Sequence, residues 1–453
     1  MEQCIAAIAT ALAPAGISVI RLSGEGAIQV ADRLFKTSSS KMLEDLDGYQ
    51  VAYGHIFDDK EIIDDAVALV FRAPHSYTGE DVVELSCHGG VFITSKILSL
   101  CFKHGAHPAQ NGEFTKRAFL NGKMTLTQAE AVVDLINAQS LSAMKAANNA
   151  KQGVLYKKIS AVCEKLTKAC GHIQVLMDYP DEDIDSIDKE DIKNKLKKSK
   201  LELIELVSKY RFNNMVKTGV KTVIMGKPNV GKSTIMNLLL GSEKSIVTDI
   251  SGTTRDIVEG NMQIDGVSFL LFDTAGIRET DDIVEQIGVK KAKDKIKHAD
   301  LVLFVMDGSK KPCNEDFLEL ENCGDIPIIC VLNKSDLGSV NMNSYKSKFY
   351  DIINTSNKDL VSIENLKEKM LGIYNLSLFD YTAPMLANER QKLAAENAIT
   401  ELENALNDIS DGLTWDVIGL TIESAIEYLL ELSGENASDH VLHEIFSSFC
   451  VGK

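Results

Sequence analysis

The fold is decided by the stretch Lys221-Thr-Val-Ile-Met225, which runs directly into Gly226-Lys-Pro-Asn-Val-Gly-Lys-Ser233 and then into the apolar run Thr234 to Leu240. This order predicts a strand, a glycine-rich loop and a helix, the context that the G-x-x-x-x-G-K-S motif requires. Backbone N–H groups of such a loop surround phosphates, and Lys232 and the Mg²⁺ ligand Ser233 complete the site. The loop residues predicted to bind a nucleotide are Asn229, Val230, Gly231, Lys232, Ser233 and Thr234.

Two later motifs follow apolar strands and indicate which nucleotide is bound. Asp273-Thr-Ala-Gly276 is expected to hold Mg²⁺ through water and to sense the γ-phosphate. In Asn333-Lys-Ser-Asp336 the carboxylate can accept two hydrogen bonds from guanine. This order of motifs predicts a GTPase. The predicted contacts are Asp273, Thr274, Ala275, Gly276, Asn333, Lys334 and Asp336, with Thr355, Ser356 and Asn357 for the last guanine contact.

The segment between the phosphate loop and Asp273 has the character of a GTPase switch. Thr254 is expected to close on Mg²⁺ and the γ-phosphate. The predicted nucleotide contacts in this segment are Thr248, Asp249, Ile250, Ser251, Gly252, Thr253 and Thr254. Ile277 stands where a Ras-type GTPase has a glutamine that orients the attacking water. An acid can replace it, and spacing alone leaves Glu279, Asp281, Asp282 and Glu285 as alternatives.

Composition limits the partners and the compartment. The net charge of −17 argues against a chain that grips nucleic acid by itself, because phosphate contacts dominate that affinity. Any RNA contact is expected to be local or shared with a second protein. Nine cysteines without Cys-x-x-Cys spacing predict a reducing cytoplasm. The absence of an apolar run of about 18 residues and of a signal-like start predicts no membrane span and no secretion.

The pattern along the chain predicts three kinds of region. Residues 1–118 mix short strands with helices, residues 119–215 and 379–453 are helical, and residues 216–378 alternate strand and helix. Residues 379–453 are few for a core of their own, so we expect them to pack against the earlier helices. We therefore predict a multidomain α/β and all-α protein, with an α+β N-terminal domain and a split helical domain. A P-loop, Ras-like domain with a mostly parallel sheet is inserted into that helical domain.

Several less general stretches carry a family resemblance. They are Ser76-Tyr-Thr-Gly-Glu-Asp81, His88-Gly-Gly90, Gly112 to Met124, Leu126 to Ala131 and the C-terminal Phe449-Cys-Val-Gly-Lys453. Over essentially the whole chain the sequence resembles the bacterial tRNA-modification GTPase family MnmE (TrmE). The resemblance implies a folate-binding, dimerising N-terminal domain and an inserted GTPase domain within the split helical domain.

The resemblance also implies a task. Members of this family work with an FAD-dependent partner of the MnmG (GidA) type in a heterotetramer, which binds tRNA largely as a complex. Together they place a carboxymethylaminomethyl-type group on C5 of the wobble uridine of certain tRNAs. The one-carbon unit comes from 5-formyltetrahydrofolate or a related tetrahydrofolate, and GTP hydrolysis is required.

Site residues are implied by the same resemblance. Glu285 matches a glutamate that acts like a general base, so the catalytic set is Glu285, Lys232 and Thr254, with Ser233 and Thr254 on Mg²⁺. No arginine finger is used in the family. Instead K⁺ neutralises charge between the β- and γ-phosphates. The implied K⁺ ligands are Asn229, Thr248, Ile250 and Thr253, and the implied folate contacts are Arg21, Glu84, Lys123 and Lys453.

Some interpretations remain open. Cys450 resembles a cysteine near the one-carbon site, but a small buried apolar residue is an equal alternative. Residues 11–16 are shorter than the family's Pro-Gly-Arg-Gly-rich segment, and residues 354–358 replace its Ser-Ala guanine loop. A ribosome-assembly GTPase is the alternative function, although such proteins usually append a basic RNA-binding domain. A folate enzyme acting alone would leave the GTPase motifs unexplained.

Overall fold

The computed structural model describes residues 3–39, 41–178, 189–241, 260–273, 296–338, 340–356, 359–374 and 379–453. They form two compact units. The first comprises Met1–Val133, Tyr156–Lys200 and Asn397–Lys453, and the second comprises Asp134–Leu155 and Leu201–Glu396. This division does not test the boundaries of the four predicted regions, which stay a prediction.

Regular elements fill most of the described ranges. The strands are β1 Ile5–Ile8, β2 Ala15–Ser23, β3 Phe35–Thr37, β4 Gln50–Asp58, β5 Glu61–Phe71, β6 Val82–Gly89, β7 His107–Pro108, β8 Val220–Met225, β9 Gly260–Ile264, β10 Val267–Asp273, β11 Leu301–Asp307, β12 Ile328–Asn333 and β13 Asp351–Asn354. The helices are α1 Ala27–Leu34, α2 Val91–Lys103, α3 Glu113–Leu120, α4 Leu126–Asn137, α5 Leu141–Lys151, α6 Val154–Asp178, α7 Lys189–Ser208, α8 Tyr210–Thr218, α9 Lys232–Gly241, α10 Leu360–Gly372, α11 Glu389–Asp411, α12 Trp415–Ser433 and α13 Asp439–Ser447. The predicted fold class is confirmed.

The first unit contains a seven-stranded sheet in the order β3-β4-β5-β6-β2-β1-β7. Its pairs are antiparallel except for β1 with β7. In β5 the residues Ala66, Ala68 and Val70 are buried while Val67 is exposed. Such alternation is typical of a sheet with one covered face. Helices α1 and α2 pack on that face, and the opposite face carries the candidate site of this unit.

The C-terminal segment packs against the earlier helices of the first unit. A small core joins Leu126 and Ala129 of α4 to Leu442 and Phe446 of α13 and to Phe449. This burial gives the last residues of the chain a fixed position, which the candidate site in this unit requires. Within the described ranges no helix combines the length and the hydropathy needed to cross a bilayer.

The second unit contains the sheet that the phosphate-loop pattern predicts. Its order is β13-β12-β11-β8-β10-β9, and every pair is parallel except β9 with β10. All six residues of β12 are buried, because helices cover both faces of a parallel sheet. In a parallel sheet the carboxyl ends of the strands meet at one edge, where ligands bind. The ends of β8, β10, β11 and β12 therefore lie together.

Candidate nucleotide site and candidate folate site

The phosphate loop connects the end of β8 to the start of α9, as the sequence predicts. Gly226 and Gly231 both have positive φ, 142° and 100°. A Cβ atom on Gly226 would lie 2.2 Å from the carbonyl oxygen of Val305, and one on Gly231 would lie 2.1 Å from Nδ2 of Asn333. The loop thus approaches its neighbours so closely that only glycine fits at either position.

Lys232 and Ser233 are placed for phosphate and metal chemistry. Lys232 is buried, and its Nζ donates to the carbonyl oxygens of Gly226, at 2.7 Å, and Lys227, at 3.0 Å. The Ser233 hydroxyl donates to Oδ2 of Asp273, the last residue of β10, at 3.3 Å. A hydroxyl and a carboxylate at this spacing are the hard oxygen donors that Mg²⁺ prefers. These residues fit the predicted magnesium role.

The guanine motif contacts the phosphate loop directly. Asn333 ends β12, and its Nδ2 donates to the carbonyl oxygen of Val230 at 2.9 Å. The Nζ of Lys334 donates to the carbonyl oxygen of Asn229 at 3.0 Å. Asp336 is exposed beside them. The structure therefore brings together the two motifs that a GTPase needs for base and phosphate recognition.

The last predicted guanine contact lies beside this motif. The Thr355 N–H donates to the carbonyl oxygen of Leu332 at 2.8 Å, and its carbonyl oxygen accepts from Ser335 N–H at 3.0 Å. Both contacts are made by the backbone of Thr355, and the residue is fully buried. Asn333 Oδ1 and Thr355 Oγ1 are buried and have no hydrogen-bond partner among the described residues. Orphaned polar atoms of this kind are typical of a site that a ligand completes.

Sequence reasoning missed one residue of this cluster. Asp307 ends β11, and its Oδ2 lies 2.8 Å from Nζ of Lys334. The hydrogen bond from Lys334, with those from Ser309, lowers the pKa of Asp307 to about 2. Its position in the sequence could have indicated it as a site residue. Asp307, like Asp273 and Asn333, directly follows an apolar run and ends a parallel strand.

Several predicted residues lie outside the part of the chain that the structure describes. In the switch segment and the motif after Asp273 these are Thr248, Asp249, Ile250, Ser251, Gly252, Thr253, Thr254, Thr274, Ala275 and Gly276. The same holds for Glu285, Asn357, Ile277 and the alternative acids Glu279, Asp281 and Asp282. Their assignment stays a prediction.

The first unit brings three of the four predicted folate residues together. Nε of Arg21 donates to Oε1 of Glu84 at 2.8 Å, and its Nη1 donates to the carbonyl oxygen of Gly452 at 3.1 Å. The ring centroid of Tyr77 lies 5.6 Å from the Arg21 guanidinium and 6.0 Å from Nζ of Lys453. A carboxylate, two cations and an aromatic ring are side chains that suit a pterin and its acidic tail.

The fourth residue, Lys123, lies at the loop that leads to Tyr77. Its Nζ donates to the carbonyl oxygen of Pro74 at 2.8 Å. A cavity of about 800 Å³ in the same unit is lined by other residues, among them His107 and Lys116, and by none of the four. The predicted folate residues therefore lie on a more open surface.

That surface is the second face of the seven-stranded sheet. Strand register places Val51, Leu69, Glu84 and Arg21 in one row across β4, β5, β6 and β2. Apolar side chains on the same face are exposed, including Ile17 at 64% and Tyr53 at 55%. The polar pair Arg21 and Glu84 thus borders an apolar surface.

The C-terminal tail reaches this face in a fixed conformation. Gly452 has φ 93°, and a Cβ on it would lie 2.4 Å from the carbonyl oxygen of Ile8. Cys450 is exposed, so its interpretation as a buried apolar residue is wrong. The tail brings Lys453 to Tyr77 while Cys450 remains accessible.

Comparison with known proteins identifies the family of the chain. The family described as GTP-binding protein TrmE N-terminus matches residues 4–123, and the MnmE helical domain matches residues 126–450. A tRNA modification GTPase MnmE from Clostridioides difficile is 40% identical over 457 residues, covering 100% of both chains. One from Finegoldia magna is 38% identical over 454 residues, again covering 100% of both.

A solved structure of an Aquifex aeolicus Era variant bound to GDP·AlF4⁻ is 28% identical over 40% of this chain and 66% of the Era chain, with a TM-score of 0.27. The strand, glycine loop and helix, with the guanine motif against the loop, define a P-loop protein of the GTPase class. The match over the whole length is more specific. The chain belongs to the MnmE (TrmE) family of tRNA modification GTPases.

The contact between Gly231 and Asn333 generates a prediction. Gly231→Ala places a methyl group where Nδ2 of Asn333 lies, at a backbone φ that alanine disfavours. We expect GDP affinity to fall by at least about tenfold in titrations with a fluorescent GDP. Gly241→Ala is the matched control, since its Cβ would meet no atom of the described residues within 4 Å. Equal affinity in both variants would show that the close approach is not required.

Proposed function

We propose that this chain is the GTP-hydrolysing component of a complex that places a carboxymethylaminomethyl-type group on C5 of the wobble uridine of certain tRNAs. One observation carries the proposal: the guanine motif contacts the phosphate loop in a chain that matches tRNA modification GTPases over its full length. GTP is therefore the substrate of the second unit, and tRNA is the substrate of the complex.

Hydrolysis is proposed to use Lys232, Ser233 and Asp273 at the carboxyl edge of the parallel sheet, together with Glu285 and Thr254. Lys232 stabilises the β- and γ-phosphates, and Ser233 with Asp273 holds Mg²⁺, directly and through water respectively. Glu285 accepts a proton from the attacking water, and Thr254 closes on the γ-phosphate. The role of Glu285 rests on the family resemblance, and that of Thr254 on the switch-like sequence between the phosphate loop and Asp273.

Potassium is proposed to take the place of an arginine finger. A K⁺ ion held beside the phosphates supplies positive charge where negative charge develops. Asn229 fits a ligand role, because its side chain is exposed while its left-handed backbone, φ 62°, is fixed by Lys334. Thr248, Ile250 and Thr253 are the other proposed ligands.

The first unit is proposed to bind 5-formyltetrahydrofolate or a related tetrahydrofolate, which supplies the one-carbon unit. The Glu84 carboxylate suits the donor edge of the pterin, whereas Arg21, Lys123 and Lys453 suit the carboxylates of the glutamate tail. Tyr77 offers a ring for stacking, and burial raises the pKa of its phenol, which keeps it neutral.

A homodimer is proposed to form through the open face of the first sheet. The exposed side chains Ile17, Val51 and Tyr53 border the Arg21–Glu84 pair, so a second copy would cover both the apolar surface and the bound folate. The net charge of −17 supports tRNA binding largely through the complex with an FAD-dependent MnmG-type partner, in a heterotetramer. Nine free cysteines support a reducing cytoplasm.

The function is tested in cells that lack this chain. We expect mass spectrometry of their tRNA to reveal loss of the wobble modification, and the wild-type chain to restore it. A Lys232→Ala variant should bind the partner but fail to restore modification, because the β- and γ-phosphates lose their cation. Full modification in the deletion strain would exclude the proposal.

Potassium dependence is tested by salt exchange. Replacing KCl by NaCl at constant ionic strength should slow GTP hydrolysis strongly, because Na⁺ is too small for a site built for K⁺. Asn229→Ala should remove the difference between the two salts while GDP still binds. Equal hydrolysis rates of the wild-type chain in both salts would rule out the potassium site.

Folate binding is tested without the partner. Arg21→Ala removes the contacts to Glu84 and Gly452, so we expect calorimetry to record at least about tenfold weaker binding of 5-formyltetrahydrofolate. Deleting Gly452 and Lys453 should have the same effect. Arg33→Ala is the control, since it loses a bond to the carbonyl oxygen of His104, away from the proposed site. GTP hydrolysis should persist in all three, and unaltered folate binding would refute this site.

A further inference from the structure

The ammonium group of Lys334 lies between two acceptors. One is the carbonyl oxygen of Asn229 in the phosphate loop, at 3.0 Å, and the other is Oδ2 of Asp307, at 2.8 Å. Asp307 pairs in register with Asn333, because β11 and β12 are parallel neighbours and both end there. Asp307 belongs to none of the GTPase motifs, yet it contacts the residue that joins two of them.

Asp307 is itself held in position. Its side chain is only 9% exposed, and its Oδ1 accepts from the N–H of Ser309 at 3.1 Å and from the Ser309 hydroxyl at 2.6 Å. The other oxygen is thereby presented to Lys334, with exposed Lys310 more distant at 4.0 Å. A carboxylate fixed in this way loses little conformational freedom when it binds an ammonium group, and such charge-assisted bonds are the strong ones.

The hydrogen bond from Lys334 to Asn229 joins two residues that both have unfavourable backbones. Asn229 has φ 62° and Lys334 has φ 61°, in the left-handed region that non-glycine residues rarely adopt. Strained conformations persist at functional sites only where the surroundings over-determine them. A bond that fixes the Lys334 side chain thus stabilises the turn of the guanine motif and the turn of the phosphate loop together.

We propose that Asp307 is a positioning residue for guanine-nucleotide binding. By anchoring Lys334, it holds the guanine motif against the phosphate loop at Asn229, so that the base and phosphate contacts are prepared before the nucleotide arrives. The inference rests on the proposed GTPase function and adds to it a carboxylate that touches neither nucleotide nor metal.

The test measures the release of a fluorescent GDP by rapid mixing with excess unlabelled GDP. Asp307→Ala should accelerate release by about tenfold, the loss expected for one charge-assisted bond. Asp307→Asn keeps an oxygen for Ser309 but loses the charge, so an intermediate acceleration is expected. If Asp307→Ala does not fold, the release rate of Asp307→Asn decides the question.

Two comparisons separate positioning from general stability. Asp351→Ala breaks an ion pair to Lys369 of the same length, 2.8 Å, at the opposite edge of the same sheet. It should leave release unchanged, and thermal unfolding without nucleotide measures the stability of each variant. In a double-mutant cycle, Asp307→Ala should add almost nothing to Lys334→Met, because both remove the same interaction.

The outcomes are distinct. Wild-type release rates in folded Asp307→Ala and Asp307→Asn, or strictly additive effects with Lys334→Met, would overturn the role of Asp307. Faster release in Asp351→Ala, equal to that in Asp307→Ala, would reduce it to a general stability effect and overturn it too. A wild-type chain that does not bind GDP at all would instead defeat the proposed function, and this inference with it.

Discussion

The side-chain amide of Asn333 occupies the space that any side chain at position 231 would need, and the nucleotide-binding unit depends on this contact. Nδ2 donates to the carbonyl oxygen of Val230, so the guanine motif closes on the phosphate loop. The contact requires β8, β11 and β12 to be parallel and to end at one edge of the sheet. It also requires glycine at 231. The base-binding motif and the phosphate loop consequently form one structural unit. Backbone geometry stabilises that unit as much as side-chain contacts do.

Much of this unit could be predicted from sequence because its strands are continuous apolar runs that end in motifs. The predicted strands 221–225, 268–272 and 328–332 each lie within an observed strand that is longer by one or two residues. Asp307 could not be assigned a role in the same way. Its strand is equally apolar, but no motif follows it, and its partner Lys334 is 27 residues away in sequence. Only the strand order made them neighbours.

The first unit sets a different limit on prediction. Its alternating strands indicate which face is buried, but not which distant segment reaches the open face. Arg21 meets Gly452 across 431 positions of the chain, and that contact exists because α13 packs on α4 through a small apolar core. The family resemblance pointed to Arg21, Glu84 and Lys453, whereas residue patterns alone describe three surface charges. Tyr77, which lies near both cations, was not singled out by either route.

Both sites hold a cation in place with a carboxylate before any ligand binds. Arg21 is paired with Glu84, and Lys334 is paired with Asp307. The positive charge of each cation is therefore largely neutralised by its carboxylate partner. Partly buried pairs gain little stability overall, because desolvation offsets their attraction. Their use lies in preorganisation, since a fixed group binds a ligand without losing further side-chain freedom. In a chain of net charge −17, the two proposed sites would therefore offer an anionic ligand positioned donors rather than a general positive field.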